Sequence, residues 1–208
     1  MDKSEITFDE IAEKIFYPIY EEIANSVINK TKIKSGKLLD IGCGGGHVGF
    51  AVLEKGNFDS CTFADINPKS QELVTKRGEG RGLSEKISFV VADVHQLPFG
   101  DNQFDLVVSR GSIPFWDDQI KAFSEIYRVL AVNGCAYVGC GLGNSKLQKE
   151  IKDKMKERGL LNNMKKVKEN SKALSNDEYE KFFKEIGCEY SIIDDDENGR
   201  WFVFKKLK

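Results

Sequence analysis

At 208 residues, 40% hydrophobic and 31% charged, the chain is long enough to bury one substantial core without disulfides or structural metals. A formal net charge of -2, with the densest basic stretch (Lys165 to Lys172) interrupted and close to acids, argues against a nucleic-acid partner, and no segment approaches the roughly 20 apolar residues that span a bilayer. The five scattered cysteines, Cys43, Cys61, Cys135, Cys140 and Cys188, lack metal-ligand spacing; together with an acidic, non-apolar start at Met1–Asp9 they read as reduced thiols in a cytoplasmic protein without a metal site or leader peptide.

The first element expected is a helix over 8–30, with Ile11, Ile15, Ile19, Ile23 and Val27 along one face and a break or kink at Pro18. A short apolar strand over 37–41 then runs into glycines, and a helix follows over 47–54. The unit repeats as strand 60–65 and helix 68–76, with Pro68 suited to a first helical turn. Strands at 87–92 and 104–109 follow, then a helix over 117–130 and a strand at 135–140. Beyond Gly141 a polar helical stretch over 145–173 precedes a capped helix over 176–186 that Gly187 stops. Strands at 189–193 and 200–204 close the chain, and Asn198-Gly199 between them signals a hairpin. Alternating strands and helices imply an α/β fold: a doubly wound, mostly parallel seven-stranded sheet with helices on both faces and a C-terminal antiparallel hairpin. One domain over 1–208 is expected, since no repeat or low-complexity linker divides it.

Chemistry concentrates where Leu38-Leu39-Asp40-Ile41 leads into Gly42-Cys43-Gly44-Gly45-Gly46-His47. A loop poor in Cβ atoms lets a ligand lie against the backbone, and the helix start behind it offers free N–H groups; a plain turn needs fewer glycines. A literal G-x-G-x-x-G runs from Gly44 through Gly46 to Gly49, but Gly42 holds the place right after the strand, so the natural register is Gly42-x-Gly44-x-Gly46. Asp65, about 20 residues further at the end of the second strand, is an ionised acceptor suited to a ribose diol.

Asp40 two residues before the glycine loop, Phe63-Ala64-Asp65-Ile66-Asn67, Val90-Val91-Ala92-Asp93-Val94-His95-Gln96-Leu97-Pro98-Phe99, Phe104-Asp105-Leu106-Val107-Val108-Ser109 and Tyr127-Arg128-Val129-Leu130 with Asn133-Gly134 together resemble class I S-adenosylmethionine-dependent methyltransferases of the small-molecule type, over residues 37 to 140. The resemblance implies S-adenosylmethionine as cofactor, S-adenosylhomocysteine as product, and methyl transfer by in-line displacement to a small-molecule acceptor. It implies a cofactor site built from Asp40, Gly42, Cys43, Gly44, Gly46, Asp65 and Ile66, with Asp93 accepting from the adenine amino group, the Val94 N–H meeting a ring nitrogen, and Ser109, Arg110 and Tyr17 nearby. On that scheme 1–30 is a helical lid, 37–140 the cofactor-binding core, and 141–208 the substrate-side helices and hairpin. The chain departs from the family at Ala131-Val132-Asn133-Gly134, where Pro-Gly-Gly is common, and at Arg110-Gly111-Ser112-Ile113-Pro114-Phe115-Trp116, where many members carry histidines; the absence of Asn/Asp-Pro-Pro-Tyr argues against amino-group methylation of adenine or glutamine.

No residue is assigned as catalytic. His47 reads as structural, because positive charge is disfavoured at a helix start, and His95 as an exposed loop residue or a base. Phe115 and Trp116 wall a pocket or cover core, and Tyr17 and Tyr20 offer hydroxyls to the cofactor or pack a helix. Two other functions stay open on residues alone: a nicotinamide-dependent oxidoreductase, and a module that binds S-adenosylmethionine without turnover.

Overall fold

The computed structural model describes residues 7–160 and 174–208. Seven strands, β1 (Ser35–Ile41), β2 (Asn57–Asp65), β3 (Ile87–Val91), β4 (Phe104–Arg110), β5 (Leu130–Cys140), β6 (Glu189–Asp195) and β7 (Gly199–Lys205), form one sheet in the order β3-β2-β1-β4-β5-β7-β6. The first five run parallel; β7 lies antiparallel to both β5 and β6. This is the sheet expected from the sequence, hairpin included. A nicotinamide-binding fold would continue in parallel through a second mononucleotide half, and the antiparallel β7 beside β5 removes it. Strand order reverses between β1 and β4, so the crevice beyond their carboxyl ends is where a ligand belongs.

The strands are apolar runs because both faces of the sheet are covered. Successive side chains of a strand point to opposite faces, and Leu38 accordingly joins the core beneath the N-terminal helices while Leu39 joins the core around Phe123, Tyr179 and Phe183. The first face is covered by α1 (Phe8–Ile11), α2 (Tyr17–Thr31), α3 (His47–Lys55), α4 (Ser70–Gly80) and α6 (Ser145–Glu157); the second by α5 (Gln119–Val129) and α7 (Asn176–Ile186). Ile11, Ile15, Ile19, Ile23 and Val27 are all buried. At roughly 1.5–3 kcal/mol for each fully buried aliphatic side chain, that row makes the N-terminal helices part of the core.

Several boundaries differ from expectation. Pro18 does not break the first helix: it sits in the first turn of α2, where its missing N–H costs nothing, and the irregularity is a π-helical segment, Ala12–Phe16, just upstream. Pro68 lies in the turn before α4, which starts at Ser70. The helix expected from 117 begins at Gln119 because the Asp118 carboxylate accepts from the Lys121 N–H and caps it. β5 starts five residues early, at Leu130, and absorbs the Asn133-Gly134 turn with Asn133 at φ 67°. The helix expected over 145–173 ends at Glu157, with Gly159 left-handed at φ 69°; residues 161–173 lie outside the described residues. α7 matches its expected bounds, with a Ser175–Glu178 capping box.

Candidate functional site

The loop after β1 takes the register Gly42-x-Gly44-x-Gly46: those three glycines have φ of 61°, 51° and 79°, a region that side chains rarely adopt. A Cβ on Gly42 would stand 2.6 Å from Ser112 Cβ, and one on Gly46 would stand 2.9 Å from the Phe63 ring, whereas one on Gly44 meets nothing within 4 Å among the described residues. The ends of the loop are thus glycine for packing, and no described side chain covers its middle. Asp40 lies beneath it, fully buried, its Oδ2 accepting from the Gly49 N–H at 2.9 Å, one of the donors a helix start leaves unpaired. Burial pushes its carboxyl up to about 7, opposed by that hydrogen bond and reinforced by the charge of Asp65.

Asp65, at the end of β2, reaches the loop directly: its Oδ2 accepts from the Gly44 N–H at 2.7 Å and its Oδ1 from the Asn67 N–H at 2.9 Å. Ile66 beside it is 69% exposed. After β3, Asp93 Oδ1 accepts from the backbone N–H of His95 at 2.9 Å and from its Nδ1–H at 2.6 Å, bonds that hold the carboxyl below its ordinary range and leave Oδ2 clear. The other ring nitrogen, Nε2, accepts from the Asp118 N–H at 3.2 Å. His95 therefore has both ring nitrogens engaged, a brace between the Asp93 turn and the start of α5. Val94 is buried. Ser109, at the end of β4, donates to the Ile41 carbonyl at 2.6 Å and so accepts from the Ser112 hydroxyl at 2.5 Å, tying β4 and the loop after it to the end of β1.

The N-terminal segment closes over this edge through two arginines. Arg77 of α4 donates from Nη1 to the Gly45 carbonyl at 2.9 Å and to Asp9 at 3.0 Å, and from Nη2 to Asp9 at 2.8 Å and Glu13 at 2.7 Å. Burial alone would raise the Asp9 carboxyl, but the Arg77 hydrogen bonds and charge outweigh it and hold it low. Arg110, at the end of β4, lies with its guanidinium 4.9 Å from the centre of the Phe16 ring and 5.8 Å from that of Tyr20, and donates to the Gly141 carbonyl at 3.2–3.3 Å. The Tyr20 ring also stacks on the His47 imidazole, 4.9 Å between centres. Burial, then the Arg77 charge, depresses His47 to about 4, and its buried Nε2, 3.4 Å from Asp9, makes no hydrogen bond among the described residues. His47 is structural, as expected from its place at the helix start.

Asp40, Gly42, Gly44, Gly46, Asp65 and Ser109 thus meet at one edge, with Asp93 and Val94 on the next turn. Tyr17 does not join them: it is 61% exposed, and Tyr20 takes the inward place instead. The Cys43 thiol, pushed far up by burial, points at its own loop, donating to the Gly44 carbonyl at 3.5 Å. Trp116 is buried and Phe115 is 63% exposed, so the first covers core and the second does not. Asp9 and Arg77 were not singled out from sequence; they are separated by 68 residues, and no local pattern links them.

A family model described as a methyltransferase domain matches residues 39–138. A solved structure of a protein from Methanococcus maripaludis, provisionally assigned as an S-adenosyl-L-methionine-dependent methyltransferase, superposes with a TM-score of 0.85 at 33% identity and covers 100% of this chain and 98% of that one. A sterol 24-C-methyltransferase of Aspergillus fumigatus is 34% identical over 123 residues, which is 56% of this chain and 32% of its own length. A ubiquinone/menaquinone biosynthesis C-methyltransferase of Allorhizobium ampelinum is 31% identical over 120 residues, again 56% of this chain and 45% of its own. The chain therefore spans from a third to just under half of the length of these two curated relatives.

Proposed function

Because this chain belongs to the S-adenosylmethionine-dependent methyltransferase family, we propose that it transfers the methyl group of S-adenosylmethionine to a small-molecule acceptor. The observation that carries the reading is the loop of three left-handed glycines, open above Gly44, with the Asp65 carboxylate bonded to its backbone. That cradle fits the family's cofactor: an open backbone for the amino-acid part, an acceptor for ribose hydroxyls in Asp65, and an unengaged Oδ2 on Asp93 for the adenine amino group, with the Val94 N–H beside it. When bound, S-adenosylmethionine supplies a methyl group on a sulfonium whose sulfur departs neutral. The chain's own part is to hold and align: Gly42, Gly44 and Gly46 keep the backbone clear, Asp40 anchors the loop to α3 from below, Cys43 and Ile66 would flank a bound nucleotide, and Ser109 ties β4 against β1 so that the crevice keeps its shape. Small-molecule acceptors are what the sterol and quinone relatives name, and the even charge balance accords with them.

No helix among the described residues is long and apolar enough to cross a membrane. Five free cysteines support a cytoplasmic place, and one continuous sheet supports a single domain, in which residues 8–16 act as a lid seated on the core through Ile11 and Ile15 and carrying Asp9 and Phe16 over the crevice. Calorimetry tests the central reading: S-adenosylhomocysteine should bind at one site and raise the melting temperature. Saturating ligand that releases no heat and leaves the transition where it was removes the proposal. Hydrogen exchange tests the lid, whose amides in 8–16 should gain protection on binding while those of 19–28 stay unchanged.

A further inference from the structure

Four of the chain's arginines are half-buried: Arg77, Arg110, Arg128 and Arg200. Arg77 pairs with Asp9 and Glu13, Arg128 with Glu125 and Asp101, and Arg200 approaches Asp194 at 3.6 Å. Arg110 is the exception: among the described residues it has no carboxylate partner. A guanidinium carries five N–H donors, and Arg110 spends its Nε and one Nη2 donor on the single carbonyl of Gly141. Three N–H groups, Nη1 among them, remain without a partner among the described residues. Packing between the Phe16 and Tyr20 rings strips part of its hydration and fixes its plane, the arrangement that makes a guanidinium selective for a planar, bidentate anion. Its position is as telling as its chemistry, because it ends β4 at the crevice, on the strand beside β1, and donates to Gly141, just past β5. Beside it the loop 111–116 presents the exposed Phe115 ring.

We infer that Arg110, boxed by Phe16 and Tyr20, is the carboxylate-recognition residue for the methyl acceptor, and that the acceptor is a small carboxylate-bearing molecule. The inference rests on the methyl-transfer reading and adds the substrate class to it. A phosphate ester would ask for more than one cation, and among the described residues no Lys or second Arg pairs with or stacks beside this one. The other possible source of a carboxylate is the amino-acid part of the cofactor itself, and the two sources separate by experiment.

A small-molecule cell extract, split on an anion exchanger at neutral pH, is incubated with methyl-labelled S-adenosylmethionine and the full chain. Labelled product should form from the retained fraction, and should still form after phosphatase treatment of that fraction. Arg110→Met should lower kcat/KM at least about tenfold, mostly through KM, and Arg110→Lys should recover only part of it, since a point charge cannot replace the bidentate fork. Both variants should bind S-adenosylhomocysteine within about threefold of the parent, which also certifies their fold. A labelled product that carries no carboxyl group, or activity abolished by phosphatase, overturns the carboxylate assignment while leaving methyl transfer intact. If Arg110→Met weakens S-adenosylhomocysteine but not 5′-methylthioadenosine, which lacks the amino-acid part, the carboxylate is the cofactor's and the acceptor assignment falls. No labelled product from any fraction removes the methyl-transfer reading and this inference together.

Discussion

Along the β1–β3 half of the crevice each carboxylate already has a protein partner: Asp40 holds Gly49, Asp65 holds Gly44 and Asn67, and Asp93 holds His95. Along the β4–β5 half the charge is a cation, Arg110, whose neighbours are two aromatic rings and one carbonyl. One half is built to hold its shape before a ligand arrives, and the other keeps donors in reserve. Preorganised donors and acceptors are what a shared cofactor site needs, while spare donors are where relatives of one fold diverge in substrate.

The sharpest way to break the preorganised half is Gly42→Ala. The new methyl would meet Ser112 in a left-handed backbone, and strain plus overpacking should cost about 2–4 kcal/mol in chemical denaturation, with loss of S-adenosylhomocysteine binding. A stable, binding-competent Gly42→Ala protein would mean that the loop yields easily and is not preorganised.

Two buried groups at the same edge should give pH slopes of opposite sign. His47 falls from 6.5 to about 4 on folding, so as pH drops through that window the unfolded chain takes up the proton first and stability is lost. Asp40 rises from 3.8 to about 7, so as pH climbs through that window the unfolded chain gives up its proton first and stability is again lost. Each slope should be worth on the order of 3 kcal/mol across its window. Because the two windows overlap, the opposite slopes largely offset each other in the parent; melting curves from pH 4 to 8 should show His47→Phe, which keeps the stack on Tyr20, losing stability as pH rises through that range, and Asp40→Asn losing it as pH falls. Unchanged slopes in both would show that these groups are solvated in solution.

Asp65→Ala removes the acceptor assigned to the ribose, and charge-assisted bonds of roughly 1.5–3 kcal/mol each put the expected drop in S-adenosylhomocysteine affinity at about tenfold or more. The smallest effect should come from His95→Phe, which frees the Asp93 carboxylate to rotate. Affinity for S-adenosylhomocysteine should fall about threefold, while that for S-inosylhomocysteine, which lacks the adenine amino group, should not change. Equal losses for both ligands would detach His95 from the adenine edge.

What the residues alone determine is substantial, because it depends on short range. Strand-to-loop-to-helix order follows from apolar runs and glycines, the register Gly42-x-Gly44-x-Gly46 follows from its distance to the strand, and the hairpin follows from Asn198-Gly199. The burial of Ile11, Ile15, Ile19, Ile23 and Val27 is legible in their four-residue spacing. Tertiary structure decided the rest. Tyr17 and Tyr20 both lie in α2, and only the packing of that helix on α3 turns Tyr20 onto His47 and leaves Tyr17 to water. Arg77 meets Asp9 and the Gly45 carbonyl, and Arg110 meets Phe16 and Gly141, only because the sheet brings the ends of β1, β4 and β5 together beneath the N-terminal helices. Such contacts join residues tens of positions apart, and their energy comes from burial and mutual geometry that no neighbouring residue encodes.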